Sequence, residues 1–251
     1  MFLSPHQIQF YRINGYLIVD GFLTHDEVQL YQDDAQQLTN HCYEQGDILA
    51  DWGCVIEPLG CGYYEVEDLA KTDRPAYIAL RAQSAPPALA LCTLDKFGAC
   101  AQQLLGEKAY LLNEQYIVKP PHSDSARFAW HQDVLYFSES QRQHRVVSVW
   151  TPLSSVEEAN GTVWVEPFPD PMRPGVYQAE PGGNAFAARM DAGSALFMDG
   201  RLRHCSSGNQ TALFRVVYMP QFSLGRITRD KDSHAALAIP VEEQSLVSSI
   251  D

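Results

Sequence analysis

From Tyr110 onward the chain is a succession of short runs rich in β-branched and aromatic residues. They cover Tyr110 to Val118, Val146 to Trp150, Thr162 to Val165, Ala195 to Met198 and Phe214 to Met219. Turn residues close them: Pro120-Pro121, Asn160-Gly161, Pro181-Gly182-Gly183, Gly193, Asp199-Gly200 and Gly208-Asn209. Many short strands punctuated in this way predict a β-sandwich or barrel.

The first 105 or so residues follow a different period and read mostly as helix. Ser4-Pro5-His6-Gln7 is a helix start, with Ser as N-cap, Pro in the first turn and Gln able to reach back. Gly15 can stop that helix, and Tyr16-Leu17-Ile18-Val19 reads as a short strand. Thr24-His25-Asp26-Glu27 is a second capping box. Val28, Tyr31, Ala35, Leu38 and Cys42 then recur at spacings of three and four, the apolar face of a long helix ending near Gly46. A third helix is expected within residues 87–105, with Leu89, Phe97, Ala101 and Leu104 inward. No linker or composition break separates the parts, so one domain over 1–251 is expected, helical over about 1–105 and β over about 106–222. Residues 232–251 read as a loosely attached tail.

Charge narrows the partners. Of the 31 acidic residues, thirteen lie in residues 20–73 beside a single base, Lys71. No basic face is visible for nucleic acid. No run of about 18 apolar residues is present, which excludes a membrane-spanning helix. The six cysteines form no C-x-x-C pair, and the N-terminus lacks the pattern of a secretory signal. They read as free thiols in a reducing cytoplasm. The sequence leaves the oligomeric state open.

Trp130-His131-Gln132-Asp133 is the most informative tetrapeptide. On a strand, residues i and i+2 share a side, so His131 and Asp133 converge while Gln132 faces away. A distant histidine completes two imidazoles and one carboxylate, the facial triad of non-haem iron(II) oxygenases, which leaves coordination positions open for a 2-oxo acid and oxygen. His204, after the run Ala195–Met198 and the turn Asp199-Gly200, is the candidate. Arg215 opens an apolar strand and needs an anionic partner; its guanidinium fork suits a carboxylate. Taken singly, these residues also read as core histidines, a turn aspartate and a structurally paired arginine. Their order and strand context together favour the metal site.

With these residues in view, the chain resembles the phytanoyl-CoA dioxygenase family of iron(II)/2-oxoglutarate oxygenases over about residues 4–222. The resemblance is carried by Gln9 to Val19, Asn113 to Pro121, Trp130-His131-Gln132-Asp133, Val149 to Leu153, Ala159 to Thr162, His204 to Asn209 and Arg215. It implies a mainly β fold with N-terminal helices, a double-stranded β-helix of the jelly-roll, cupin-like kind. It implies Fe(II), 2-oxoglutarate and O2 as cofactor and co-substrates. His131, Asp133 and His204 match the metal ligands and Arg215 the residue holding the distal carboxylate of 2-oxoglutarate. Ser206 matches a small polar residue near that carboxylate, and Gln115, on the strand before the ligand strand, is a candidate for the cofactor pocket. The chemistry implied is decarboxylation of 2-oxoglutarate to succinate and CO2 coupled to oxidation of a C–H bond. Hydroxylation, desaturation, cyclisation and dealkylation share its first step.

After Asn160-Gly161 the chain departs from the family pattern. Residues 166–190 instead hold several prolines and glycines and are read as a loop over the site. A cupin-like metal protein that is a non-redox isomerase or ligand-binding module is the alternative, since the same three ligands also bind other metals. Arg215 is the feature against it. The default substrate by resemblance is a CoA thioester. The chain has no Gly-rich phosphate loop, and its basic residues over 201–231 include Arg215. A small metabolite without a nucleotide handle, zwitterionic or cationic, is expected instead.

Overall fold

A computed structural model describes residues 2–46, 55–66, 68–169, 183–228 and 236–242. Helix α1 (Pro5–Asn14) and helix α2 (His25–Glu44) begin at the two expected capping boxes, and Gly15 ends α1 in the left-handed region at φ 77°. Between them β1 (Tyr16–Val19) is the expected strand. The short β2 (Val55–Ile56) follows, then α3 (Arg74–Arg81), α4 (Pro87–Leu91), a π-helical turn (Cys92–Phe97) and α5 (Gly98–Leu105). Leu89, Phe97, Ala101 and Leu104 are all buried, as the spacing predicts. Asp73 caps α3 and Pro75 stands in its first turn.

The remaining strands are β3 (Tyr110–Lys119), β4 (Phe128–His131), β5 (Val146–Pro152), β6 (Val163–Glu166), β7 (Phe186–Ala187), β8 (Ala195–Asp199), β9 (Arg203–Ser206), β10 (Arg215–Ser223) and β11 (Ile239–Pro240). They form two antiparallel sheets. The larger runs β1-β8-β5-β10-β3-β11, with β2 also on β3; the smaller runs β4-β9-β6-β7. From β3 to β10 the chain passes back and forth between the sheets, the winding of the expected jelly roll.

The helices cover the outer face of the larger sheet. Strand alternation sends Tyr116 and Tyr218 outward, their rings 5.1 Å apart, and Tyr218 meets Tyr31 of α2 at 4.3 Å. The Thr93 hydroxyl bridges the Tyr31 and Tyr218 hydroxyls. Among these rings lies a fully buried ion cluster. Arg81 contacts Asp34 at 2.5 Å and Glu114 at 2.9 Å, and Tyr116 donates to Asp34. Burial pushes the Glu114 carboxyl up, against the pull of the Arg81 guanidinium.

Two expectations need correction. Residues 236–242, read as part of a loose tail, are packed: β11 pairs with Leu111 and Tyr110 of β3, and Leu237, Ile239 and Val241 are buried. The alternation of those three residues is a strand signal. Within that tail, 232–235 and 243–251 lie outside the described residues. Residues 166–190 were expected as one loop over the site; 170–182 lie outside the described residues, and the end of the segment is strand, with β7 (Phe186–Ala187) paired to Trp164 and Val165 of β6. The segment's described entry is held to the first helix, where Phe168 N–H donates to Asn14 O.

Replacing Arg81 with alanine leaves Asp34 and Glu114 buried side by side without their cation. Removing one partner of a buried ion cluster costs about 3–5 kcal/mol. Arg81→Ala is expected to lower unfolding free energy by that amount in chemical denaturation.

Candidate active site

The smaller sheet assembles the candidate metal ligands. Strands β4 and β9 are antiparallel, and His131 stands directly opposite His204. Their rings lie 4.2 Å apart between centroids. The strand stops at His131, so Asp133 belongs to a 3-10 turn (Asp133–Tyr136) rather than to a strand as expected. Val134 N–H donates to Gly200 O at 3.0 Å, and the Gln132 side chain donates to Arg201 O. These bonds turn Gln132 away and aim the Asp133 carboxylate at the two histidines. Asp133 Oδ1 lies 3.7 Å from His131 Nε2 and 3.5 Å from His204 Nε2.

The polar atoms facing away from the centre are satisfied. His131 Nδ1 meets Ala129 O at 2.8 Å and His204 Nδ1 meets Leu202 O at 3.0 Å. A carbonyl only accepts, so Nδ1 carries the proton and each Nε2 presents its lone pair inward. Burial and the neighbouring His204 push His131 down to about 4, against the upward pull of Asp133, which keeps the imidazole neutral at neutral pH. Asp133 Oδ2 accepts from Ser148 Oγ and from Gln221 Nε2 at 3.1 Å, leaving Oδ1 toward the centre. All three ligand atoms fall within 4.8 Å of one another. This set fits one divalent first-row metal, and two imidazoles with one carboxylate suit iron(II).

The facing wall comes from β3 and β10 of the larger sheet, whose inward residues alternate. Arg215 is opposite Lys119, Met219 opposite Gln115, and Gln221 opposite Asn113. Arg215 and Lys119 are both buried, and both donate to Gly161 O, at 3.0 and 3.5 Å. Lys119 Nζ also donates to Ser206 Oγ at 2.7 Å and to Ser207 O. The Arg215 guanidinium lies 5.6 Å from the ring centre of Trp150. Two cationic heads thus converge at one end of the wall, where like charges favour an anion between them. A carboxylate group fits there.

Local chemistry fixes this end. The Asn209 side chain donates to Lys119 O, Pro120 O and Leu213 O, tying the β9–β10 turn to the end of β3. Gly161 is at φ 80°, and a Cβ there would stand 2.7 Å from Ser207 O and 2.8 Å from Gly208 O. Only glycine brings its carbonyl to both cations.

Ser206 therefore lies at the cation pair. Gln115 does not: it leans on Met219 Sδ at 3.9 Å, four residues along β3 from Lys119, about 13 Å by strand rise. Sequence reasoning missed Lys119, Ser148 and Gln221. Lys119 carries the signal used for Arg215, a charge at the end of an apolar strand. Ser148 and Gln221 are polar residues in otherwise buried strands.

The chain matches the family model described as phytanoyl-CoA dioxygenase over residues 11–217. It is similar to the peroxisomal phytanoyl-CoA dioxygenase of Rattus norvegicus, 22% identical over 237 aligned residues, covering 85% of this chain and 66% of the relative. It thus spans just under two thirds of the length of that relative. Among solved structures it shares the fold of the epimerase SnoN in complex with Fe3+, alpha ketoglutarate and nogalamycin RO (TM-score 0.61, 17% identity, 89% of this chain and 84% of that one). It also shares the fold of EctD from S. alaskensis with 2-oxoglutarate and 5-hydroxyectoine (TM-score 0.59, 19% identity, 88% and 76%). The match to the family model spans most of the chain and takes in His131, Asp133, His204 and Arg215, and on it the chain belongs to the phytanoyl-CoA dioxygenase family.

Proposed function

We propose that the chain is a non-haem iron(II)- and 2-oxoglutarate-dependent dioxygenase that oxidises a C–H bond of a small metabolite or biosynthetic intermediate and releases succinate and CO2. The observation that carries this reading is the pairing of two features across the jelly roll. A three-ligand centre lies on one sheet, and two converging buried cations lie on the facing wall. A non-redox metal protein has use for the first but not for the second.

His131, Asp133 and His204 hold the iron, Arg215 and Lys119 bind the distal carboxylate of 2-oxoglutarate, and Ser206 orients Lys119. Iron(II) held there, with O2 and 2-oxoglutarate, would supply the oxidising power for attack on a C–H bond of the substrate. Ser148 and Gln221 hold Asp133 Oδ2, leaving Oδ1 as the oxygen that would meet the metal. Hydroxylation is the default outcome, though a relative in fold is described as an epimerase.

The substrate is read as free of CoA. Three arginines of the basic stretch are committed: Arg201 to Asp199 at 2.8 Å, Arg203 to Glu166 at 2.5 Å, and Arg215 to the wall. The five described cysteines are free thiols, which supports a cytoplasmic setting. The test is iron- and O2-dependent succinate release, screened across free amino acids, small natural products and acyl-CoAs. Stimulation confined to an acyl-CoA, lost with the free acid, contradicts the substrate reading.

His131→Ala, Asp133→Ala and His204→Ala are each expected to abolish succinate release while the chain stays folded by circular dichroism. Arg215→Ala is expected to raise the 2-oxoglutarate concentration required, since losing a charged contact in a buried site costs about 2–5 kcal/mol, roughly 30-fold or more in affinity. Gln221→Leu is expected to weaken iron binding about 10–100-fold, the usual cost of removing a partner that orients a metal ligand. Equilibrium dialysis with iron(II) checks it.

A further inference from the structure

We infer that Tyr136 is a specificity-determining residue of the primary-substrate site: its ring receives a cyclic or aromatic group of the substrate, and its hydroxyl donates to an oxygen on that group. The inference deepens the oxygenase reading and rests on it.

The turn that carries Asp133 also carries Tyr136. Asp133–Tyr136 is a 3-10 turn, in which side chains three residues apart eclipse. Tyr136 is therefore set on the Asp133 side of the turn, and its ring lies 5.7 Å from the His131 ring at 68°. The backbone around it is anchored. Val134 and Phe137 are buried in an apolar cluster with Leu112, Val146 and Ile227. Leu135 N–H donates to Gln132 O at 3.0 Å, and Ser138 N–H donates to Thr228 O at 3.1 Å. Tyr136 itself stays 54% exposed. Among the described residues its hydroxyl has no hydrogen-bond partner. The fold thus holds a phenol beside the candidate metal ligands with its ring open and its donor uncommitted.

His131 has a second aromatic neighbour, Phe128, at 6.2 Å. Phe128 stands opposite Ser206 in the β4–β9 register, and its ring centre lies 5.8 Å from Lys119 Nζ. It therefore marks the span between the cation pair and the candidate metal ligands, which a dicarboxylate joining the two must cross. Tyr136 follows the other end of β4, where Val134 and Gln132 bond to Gly200 and Arg201. On the oxygenase reading the co-substrate takes the Phe128 side of His131. The Tyr136 side is left for the molecule that is oxidised, and His131 is partly exposed there.

An aromatic ring packs best against another ring, edge-on or offset. A rigid cyclic group also has fewer torsions to freeze on binding than an open chain of equal size. Tyr136 carries no charge, so what it selects is ring shape and an acceptor oxygen.

The test uses the full chain and its Tyr136→Phe and Tyr136→Ala variants, with iron(II) and 2-oxoglutarate present under argon. The probes are cyclohexanol beside hexanol, benzyl alcohol beside heptanol, and toluene as the oxygen-free counterpart of benzyl alcohol, read by calorimetry. In the unmodified chain each ring alcohol is expected to bind about tenfold more tightly than its open-chain counterpart. Tyr136→Ala removes that preference and leaves 2-oxoglutarate affinity unchanged. Tyr136→Phe keeps it and loses the preference for benzyl alcohol over toluene, about fivefold. No ring preference in the unmodified chain, a ring preference that survives Tyr136→Ala, or an alcohol preference that survives Tyr136→Phe overturns the inference. So does a parallel loss of 2-oxoglutarate affinity, which marks a structural role. Tyr136→Phe keeps the ring and decides the hydroxyl's part even where Tyr136→Ala does not fold. Failure of the oxygenase reading shows itself differently: no compound of the wider screen elicits iron-dependent succinate, whatever the ring preference.

Discussion

The antiparallel pairing of β4 with β9 is the constraint on which the rest of the site depends. It sets His131 opposite His204 with both rings on one face of the smaller sheet. A slip of one residue would turn one ring to the other face and leave Asp133 with a single imidazole partner. The register is held outside the pair. Strand β6 pairs with the far edge of β9, Val165 opposite His204, and the Gln132 and Val134 contacts to Arg201 and Gly200 pin the chain just beyond His131. The ligand set follows from backbone pairing, and side-chain hydrogen bonds then fix which atom of each ligand faces inward.

The larger sheet supplies what the smaller one lacks. Its outer face is occupied by a buried ion cluster and tyrosines that seat the helices, so its inner face is free to be polar. That inner face carries cations at one end and amides with a carboxylate at the other. Buried polar groups need partners. Here many of the partners are backbone carbonyls and amides, which orient the charged heads.

Much of this was legible in the sequence because its causes are local. Both capping boxes, the glycine stops and five strand runs depend on residues within a few positions of one another. The two histidines and Asp133 were legible because ligand chemistry restricts residue type. The polar spine was not. Ser148, Gln221, Asn113 and Glu57 find their partners across strands distant in sequence, and a lone polar residue in an apolar run does not say what it will meet. The same reason hid β9, whose four residues carry His204 but little strand signal of their own. The C-terminal pairing of β11 was legible in the alternation of Leu237, Ile239 and Val241. Gln115 lies on the same inner wall, between Lys119 and Asn113, and its distance from the cation pair follows only from register.

The central claim is that one metal and one dicarboxylate meet between the two sheets. Anaerobic titration of the metal-free chain with iron(II) and then 2-oxoglutarate tests it most directly, read by visible absorption. The account predicts a weak metal-to-ligand charge-transfer band that appears only with both present, is lost in Asp133→Ala and needs far more 2-oxoglutarate in Arg215→Ala. No band at saturating iron(II) and 2-oxoglutarate, or a band that Arg215→Ala leaves unmoved, would contradict it.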